Sequence, residues 1–232
     1  TAEGWLRDAA ARVAALSPRA HVRSAESFAE GIVAAADELG ADLIVVGARA
    51  GRGRHRVGTI ASELMHFSDV PVVLAPAGAQ DVPVDAGVSR VTAAVGTRPG
   101  GDLLLAEAVA LAAAAHAPLR LVSLVTVDLP RAADTGVIRL MGAAHADDVL
   151  SRAKAALPEG VEADVLVGSG ESIEDAVRGL DWQSAEIAMV GSSRLAQPRR
   201  LFLGSTASKM LHALPVPLAV VPRTRGTEGG GR

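Results

Sequence analysis

The chain has 232 residues, of which 49% are hydrophobic and 21% are charged, and its formal net charge is −3. Its length is enough for one large domain or two of roughly 110 to 120 residues, and its composition excludes disorder over most of the sequence. No cysteine is present, which excludes disulfides, thiolate chemistry and cysteine-ligated metals. The negative charge favours neither nucleic acid nor an acidic membrane as partner, and no apolar stretch approaches the ~20 residues of a membrane span.

The first part of the chain alternates between helical and strand patterns. The predicted elements, in chain order, are a helix at 28–39, a strand at 43–46, a helix from Thr59 and a strand at 72–74. A capping pattern of Ser27 and Glu30 opens the first of these helices. The strand before Gly47 is a short apolar run, as expected of a strand covered on both faces.

The second part contains more elements in the same alternation. The predicted elements are strands at 91–95, 119–127, 163–167, 187–190 and 218–221, helices at 101–115, 144–157 and 173–180 and from Ser205, and a loop at 130–141. His145, followed by Asp147 and Asp148, is interpreted as the capped start of its helix. Strands that alternate with helices predict parallel β-α-β units and a doubly wound sheet.

An internal repeat links the two parts, because residues 41–76 match residues 185–222 at an offset of about 145. The paired residues include Gly47 with Gly191, Gly58 with Gly204, Thr59 with Ser205, His66 with His212 and, upstream, Val22 with Val167. The predicted division is a first copy at 1–79, a linker at 80–87, a complete second copy at 88–223 and a disordered tail at 224–232. The offset places the start of the first copy roughly 58 residues before Thr1, so we expect an excerpt of a longer protein.

The repeated motifs resemble those of the universal stress protein family in its tandem form. In the second copy, Gly191 ends a strand, Gly204 and Ser205 follow at the family's spacing, and a helix leads to the sequence Val-Pro-Leu-Ala-Val-Val-Pro. The resemblance implies an α/β fold of tandem Rossmann-like (adenine nucleotide alpha hydrolase-like) doubly wound parallel sheets, order 3-2-1-4-5, with the first copy truncated. It also implies that the final strands, 72–74 and 218–221, pair across a pseudo-two-fold axis, and it allows a homodimer.

The resemblance further implies an ATP site at the carboxyl ends of the strands. The implied nucleotide-binding residues are Gly191, Gly204, Ser205, Thr206 and Leu124 in the second copy and Gly47, Gly58 and Thr59 in the first. Glycines let the backbone approach phosphate, and the amides of a helix start point at it. Leu124 is the position that would line the adenine pocket.

Two positions of the second copy depart from the family's nucleotide-binding pattern. Gly96 stands where nucleotide-binding members have Asp, and Arg194 replaces the second glycine of the loop. The same loop is rich in arginine in both copies, which suits anion binding or simply a solvated surface. These arginines are Arg49, Arg52, Arg54 and Arg56 in the first copy and Arg194, Arg199 and Arg200 in the second. Nucleic acid is not expected, because no aromatic residue lies among them for stacking.

Catalytic and metal-binding patterns are weak throughout the sequence. His66 and His212 recur at one helix position without a carboxylate partner, so they are interpreted as structural or surface residues, and no metal-ligand spacing is found. The leading hypothesis is a cytoplasmic, nucleotide-responsive regulatory or stress-tolerance module that is not an enzyme. The alternatives are a protein-interaction or dimerisation module that binds no nucleotide and, third, an ATP-hydrolysing enzyme.

Overall fold

The computed structural model describes residues 1–47, 58–83, 85–97, 100–126, 135–192 and 204–222. The helices are α1 (Ala2–Arg12), α2 (Phe28–Leu39), α3 (Thr59–Phe67), α4 (Gly101–Ala115), α5 (Thr135–Ala155), α6 (Ile173–Arg178) and α7 (Ser205–Ala213). The strands are β1 (Ile44–Gly47), β2 (Val72–Ala75), β3 (Val91–Ala94), β4 (Leu119–Thr126), β5 (Ala163–Gly170), β6 (Ile187–Gly191) and β7 (Leu218–Val221). Short 3-10 helices follow α1 and β2, at Ala14–Leu16 and Ala79–Asp81.

The described strands form one seven-stranded sheet in the order β1-β2-β7-β6-β3-β4-β5. Neighbouring strands are parallel except β2 and β7, which pair antiparallel with Val73 opposite Ala219. Within the second repeat, the strands numbered in chain order lie as 3-2-1-4-5, which is the predicted doubly wound order. The β2–β7 pair joins the last strands of the two repeats, as the resemblance implied. The domain boundaries and the linker stay predictions.

Helices cover the two faces of the sheet unequally. In β7, Leu218 and Val220 belong to one hydrophobic cluster and Ala219 and Val221 to the other, because alternate residues of a strand point to opposite faces. The first cluster contains buried residues of α2, α3, α6 and α7, and the second contains buried residues of α4 and α5. Both repeats therefore contribute helices to the first face, whereas the described helices of the second face come from the second repeat alone.

This inequality is clearest at one pair of repeat-related positions. Val45 of β1 is 60% exposed, whereas its counterpart Met189 of β6 is 2% exposed. Met189 belongs to the cluster that α4 and α5 cover, and β6 has a strand on either side. Within the described residues, β1 pairs with β2 alone. The residues aligned with β5 near Val22 form no strand, since no described strand of the first repeat corresponds to β4, the neighbour of β5.

The predicted boundary between a loop and a helix before β5 is wrong. Residues 135–141 are helical, so α5 begins well before the predicted start at 144, and His145 lies inside it rather than at a capped start. Residues 130–134 lie outside the described part of the chain. Gly142 in α5 is a close-packing position, because a Cβ there would lie 2.8 Å from Cγ1 of Val125 in β4.

A buried ionic network joins the amino ends of β3, β4 and β6. Glu186 is fully buried and accepts hydrogen bonds from Nη2 of Arg90 at 2.7 Å and from Nη2 of Arg120 at 2.9 Å. The hydroxyl of Thr92 and the backbone N–H of Gln183, at 2.9 Å, donate to the same carboxylate. A buried carboxylate is tolerated when it is paired and fully hydrogen-bonded, so this network fixes the strand ends opposite the carboxyl edge of the sheet.

The network predicts acid-dependent stability. Burial alone would raise the pKa of Glu186, but hydrogen bonds from Arg90, Gln183 and Thr92 and the charge of Arg120 hold it below its usual value. The unfolded carboxyl, with a pKa of about 4.3, then binds a proton before the folded one. The stabilisation from Glu186 is therefore fully present above the pKa of the unfolded carboxyl. It is lost as the pH falls through the lower pKa that Glu186 has in the folded protein. Urea unfolding between pH 7 and 3 should show this loss in the wild type and a shallower slope in Glu186→Gln; equal slopes would contradict it.

Candidate functional site

A cavity of about 420 Å³ lies at the carboxyl ends of β3, β4 and β6. Its wall is formed by these strand ends and by residues of α4, α5, α6 and α7. Doubly wound sheets bind their ligands in the crevice outside the carboxyl ends of the strands. The cavity also has the size of an ordinary small-molecule site, since such sites occupy roughly 300–1,000 Å³.

Two helices begin at this cavity. Gly204 is the residue preceding α7, Gly100 is the residue preceding α4, and neither helix start has a side chain that accepts a hydrogen bond from its free amides. Both glycines line the cavity, together with Gly101 and Thr206 from the first turns of the helices. No acidic residue lies in the first turn of α7. Free amides and the positive end of the helix dipole make the start of α7 suited to an anion, whereas the first turn of α4 contains Asp102.

Ser192 is a polar residue of the cavity wall that lacks a partner. Its backbone N–H donates to the carbonyl of Val221 at 2.8 Å, which holds the end of β6 against β7. The residue is 6% exposed, and its Oγ is buried with no hydrogen-bond partner among the described residues. An unsatisfied buried hydroxyl costs about 1–3 kcal/mol. A ligand oxygen in the cavity would remove that cost.

The described lining is rich in hydroxyl groups and poor in charge. The hydroxyl-bearing residues are Thr97, Ser123, Thr126, Ser192 and Thr206. His145 is the single ionisable side chain of the described lining. It lies in the middle of α5 and is exposed. This composition provides hydrogen-bond donors for a ligand, but within the described lining it offers no carboxylate to act as a base.

Most of the residues predicted for the second copy come together in this cavity. Gly191, Gly204, Thr206 and Leu124 line it. Ser205 is the first residue of α7 and is exposed, and it is not among the lining residues. The hydroxyls of Ser205 and its counterpart in α3 do not cap their helices, because each follows the glycine that occupies the capping position.

The residues predicted for the first copy line a separate and more open cavity of about 820 Å³. Gly47, Gly58 and Thr59 border it, beside apolar residues such as Phe28 and Ile60. Phe28 is 77% exposed. The described lining of this cavity comes from α2, β1 and α3, without counterparts of the walls that β3, β4, α4 and α5 supply in the second copy.

Sequence reasoning missed four hydroxyl residues of the main cavity, namely Thr97, Ser123, Thr126 and Ser192. Two of them, Thr97 and Ser192, directly follow a glycine: Gly96 lies two residues beyond the end of β3, and Gly191 is the last residue of β6. The detectable signal was this pairing of glycine and hydroxyl residue at the carboxyl ends of two strands that prove to be neighbours. The predicted site used the glycines, whose role is backbone approach to phosphate, and not the hydroxyl residues that follow them.

Other predicted features contribute less to the site. His212 is exposed, and its Nδ1 lies 2.6 Å from the carbonyl oxygen of Ser208 in its own helix, in line with a structural role. The side chain of His66 and the arginines of both glycine loops lie outside the described residues. Among the residues that are described, no group of three metal-ligating side chains is found. Within the same ranges, no helix combines the length and apolar character needed to cross a membrane.

Comparison with known structures supports the fold. The chain aligns with a universal stress protein of Archaeoglobus fulgidus at a TM-score of 0.64 and 22% identity, covering 96% of this chain and 78% of the other. It also aligns with a protein of Pseudomonas aeruginosa at a TM-score of 0.57 and 15% identity, with the same coverage of both chains. At these identities the likeness concerns the fold alone.

Sequence comparison identifies the family. A universal stress protein of Mycobacterium tuberculosis is 28% identical over 213 residues, which cover 87% of this chain and 71% of the relative. A universal stress protein of Mycobacterium bovis matches equally well. The model of the universal stress protein family matches residues 3–76 and 87–222, most of the chain. The chain belongs to the universal stress protein family.

Proposed function

We propose that this protein binds ATP in the cavity of its second repeat and acts as a nucleotide-responsive regulatory or stress-tolerance module without catalysis. The observation that carries the proposal is the buried Oγ of Ser192, which has no partner among the described residues, beside the uncapped start of α7. A phosphate oxygen would accept a hydrogen bond from that hydroxyl and from the free amides of the helix. The family membership adds to this reading, because the resemblance implies a phosphate site at the same glycines.

Each part of the cavity has a role in this proposal. Gly191 and Gly204 let phosphate approach the backbone, and Thr206 adds a hydroxyl near the same helix start. Leu124, at the end of β4, provides an apolar contact for the adenine ring. The hydroxyl groups of the cavity lining supply specificity for the nucleotide. They take the place of the Asp carboxylate that nucleotide-binding members of the family have at the position of Gly96.

Ser192→Ala should weaken ATP binding by about tenfold, since a hydrogen bond to a charged group contributes about 1.5–3 kcal/mol and the low end corresponds to that factor. Titration calorimetry of the wild type and the variant measures this change. Ser208→Ala is the matched control, because Ser208 lies on α7 outside the lining of the cavity. Unchanged affinity in Ser192→Ala, or absence of heat in the wild type at millimolar ATP, would contradict the proposal.

A protein-interaction or dimerisation module is the second candidate. It is favoured by Gly96, which lacks the acidic side chain of nucleotide-binding members, and by the exposed apolar residues Phe28 and Val45 of the first repeat. Absence of ATP binding, together with a molecular mass in solution above that of one chain, would support it. ATP hydrolysis is distinguished in the same titrations, because release of phosphate would contradict a purely binding role.

A further inference from the structure

A second cavity, of about 350 Å³, lies beside the first and is lined by residues of α4 and α5. The two cavities share residues at the end of β3 and the start of α4, among them Val95, Gly96 and Gly101. Beyond these shared residues, the second cavity is lined by Leu105 of α4 and Ala153 of α5. The space at the carboxyl edge of the sheet is therefore larger than the first cavity alone.

Gly96 stands at the junction of the two cavities, and the fold does not require glycine there. Its φ is not positive, and a Cβ built on it would meet no heavy atom of the described residues within 4 Å. A side chain at this position would therefore enter the shared open space without a clash. With glycine at residue 96, no side chain stands between the two cavities at this position.

Most side chains of the described lining of the second cavity are apolar, and its two charged residues are Asp102 and Arg152. Val95, Leu105 and Val149 are buried in the adjoining core cluster. Arg152 is exposed and already pairs with Asp148 at 2.8 Å, and Asp102 at the start of α4 would repel an anion. This arrangement disfavours a second phosphate group and favours an uncharged, apolar one.

We propose that the natural ligand is an adenine nucleotide that carries an apolar substituent, with the nucleotide in the first cavity and the substituent between α4 and α5. This inference rests on the proposed function and specifies its ligand class. Burial of roughly 60 Å² of apolar surface raises affinity about tenfold at 25 cal/mol per Å², and an aromatic ring offers more area than this.

The test compares ATP with two extended probes, N6-benzyl-ATP and 2′(3′)-O-(N-methylanthraniloyl)-ATP, which carry an aromatic ring at opposite ends of the nucleoside. At least one should bind about tenfold more tightly than ATP. Ala153→Leu narrows the second cavity and should abolish that preference while leaving ATP affinity unchanged; Gly96→Leu should also abolish it. Ala155→Leu is the matched control, since Ala155 is exposed on α5 outside both cavities.

The outcomes separate this inference from the proposed function. If ATP binds but both extended probes bind more weakly, the inference is overturned and the ATP site stands. If an extended probe keeps its advantage in both Ala153→Leu and Gly96→Leu, the substituent lies elsewhere and the inference is again overturned. Binding of none of the three nucleotides would overturn the proposed function together with the inference.

Discussion

Replacing Glu186 by Gln should lower the free energy of unfolding by about 3–5 kcal/mol, the usual effect of breaking a buried ion pair from one side. The substitution preserves the shape of the side chain but leaves the guanidinium groups of Arg90 and Arg120 without their carboxylate. Arg120 is 4% exposed, so water cannot replace the lost partner. Urea unfolding at pH 7, followed by circular dichroism, measures the change.

Two comparisons test the cause of that loss. Glu162→Gln removes a carboxylate from an exposed position before β5 and should change stability by less than about 0.5 kcal/mol. A triple variant, Arg90→Met with Arg120→Leu and Glu186→Leu, removes all three charges and should recover most of the stability, because apolar replacement of a buried ionic triad is often neutral. A Glu186→Gln protein as stable as the wild type would show that the network contributes little.

Gly191→Val should weaken ATP binding by about 100-fold, equivalent to about 2.7 kcal/mol, with little change in stability. No heavy atom lies within 4 Å of the position that a Cβ would occupy at residue 191, so the fold has room for the side chain. That room is part of the cavity wall beside the start of α7. The isopropyl group would occupy space in which phosphate approaches the backbone. Titration calorimetry and thermal unfolding measure the two effects.

The repeat provides a matched control for this variant. Gly47→Val makes the same substitution at the corresponding position of β1, where a Cβ also meets no heavy atom within 4 Å. It should leave ATP affinity unchanged, because Gly47 borders the other cavity. Loss of binding in Gly47→Val with full binding in Gly191→Val would place the nucleotide in the first repeat and contradict our assignment.

Much of the fold could be predicted because local patterns coincide with its elements. The helix predicted at 101–115 has the same bounds in the structure, since Gly100 and a helical run of Leu and Ala mark its start and length. The hydroxyls of Ser27 and Ser172 accept from the N–H groups of Glu30 and Asp175, as their capping patterns indicate. Such features depend on residues a few positions apart, which a single sequence displays directly.

Features that depend on distant residues could not be predicted in the same way. Glu186 and Arg90 are 96 positions apart, and no local pattern links them. The lack of a partner for Ser192 is likewise a property of packing, visible only when β6, β7 and α7 are in place. The close packing at Gly142 has the same origin, because the atom that limits a side chain there belongs to Val125 in β4.

The antiparallel contact between β2 and β7 also has a consequence for assembly. The cluster that buries Leu64 and Val72 of the first repeat also includes Met210 and Leu218 of the second repeat. The described elements of the first repeat therefore share one hydrophobic core with the second repeat. Burial of apolar surface drives these elements to fold, and much of that surface becomes available only once α7 and β7 have formed. The described elements of the first repeat are therefore expected to unfold together with α7 and β7 rather than on their own, because the two repeats share this core.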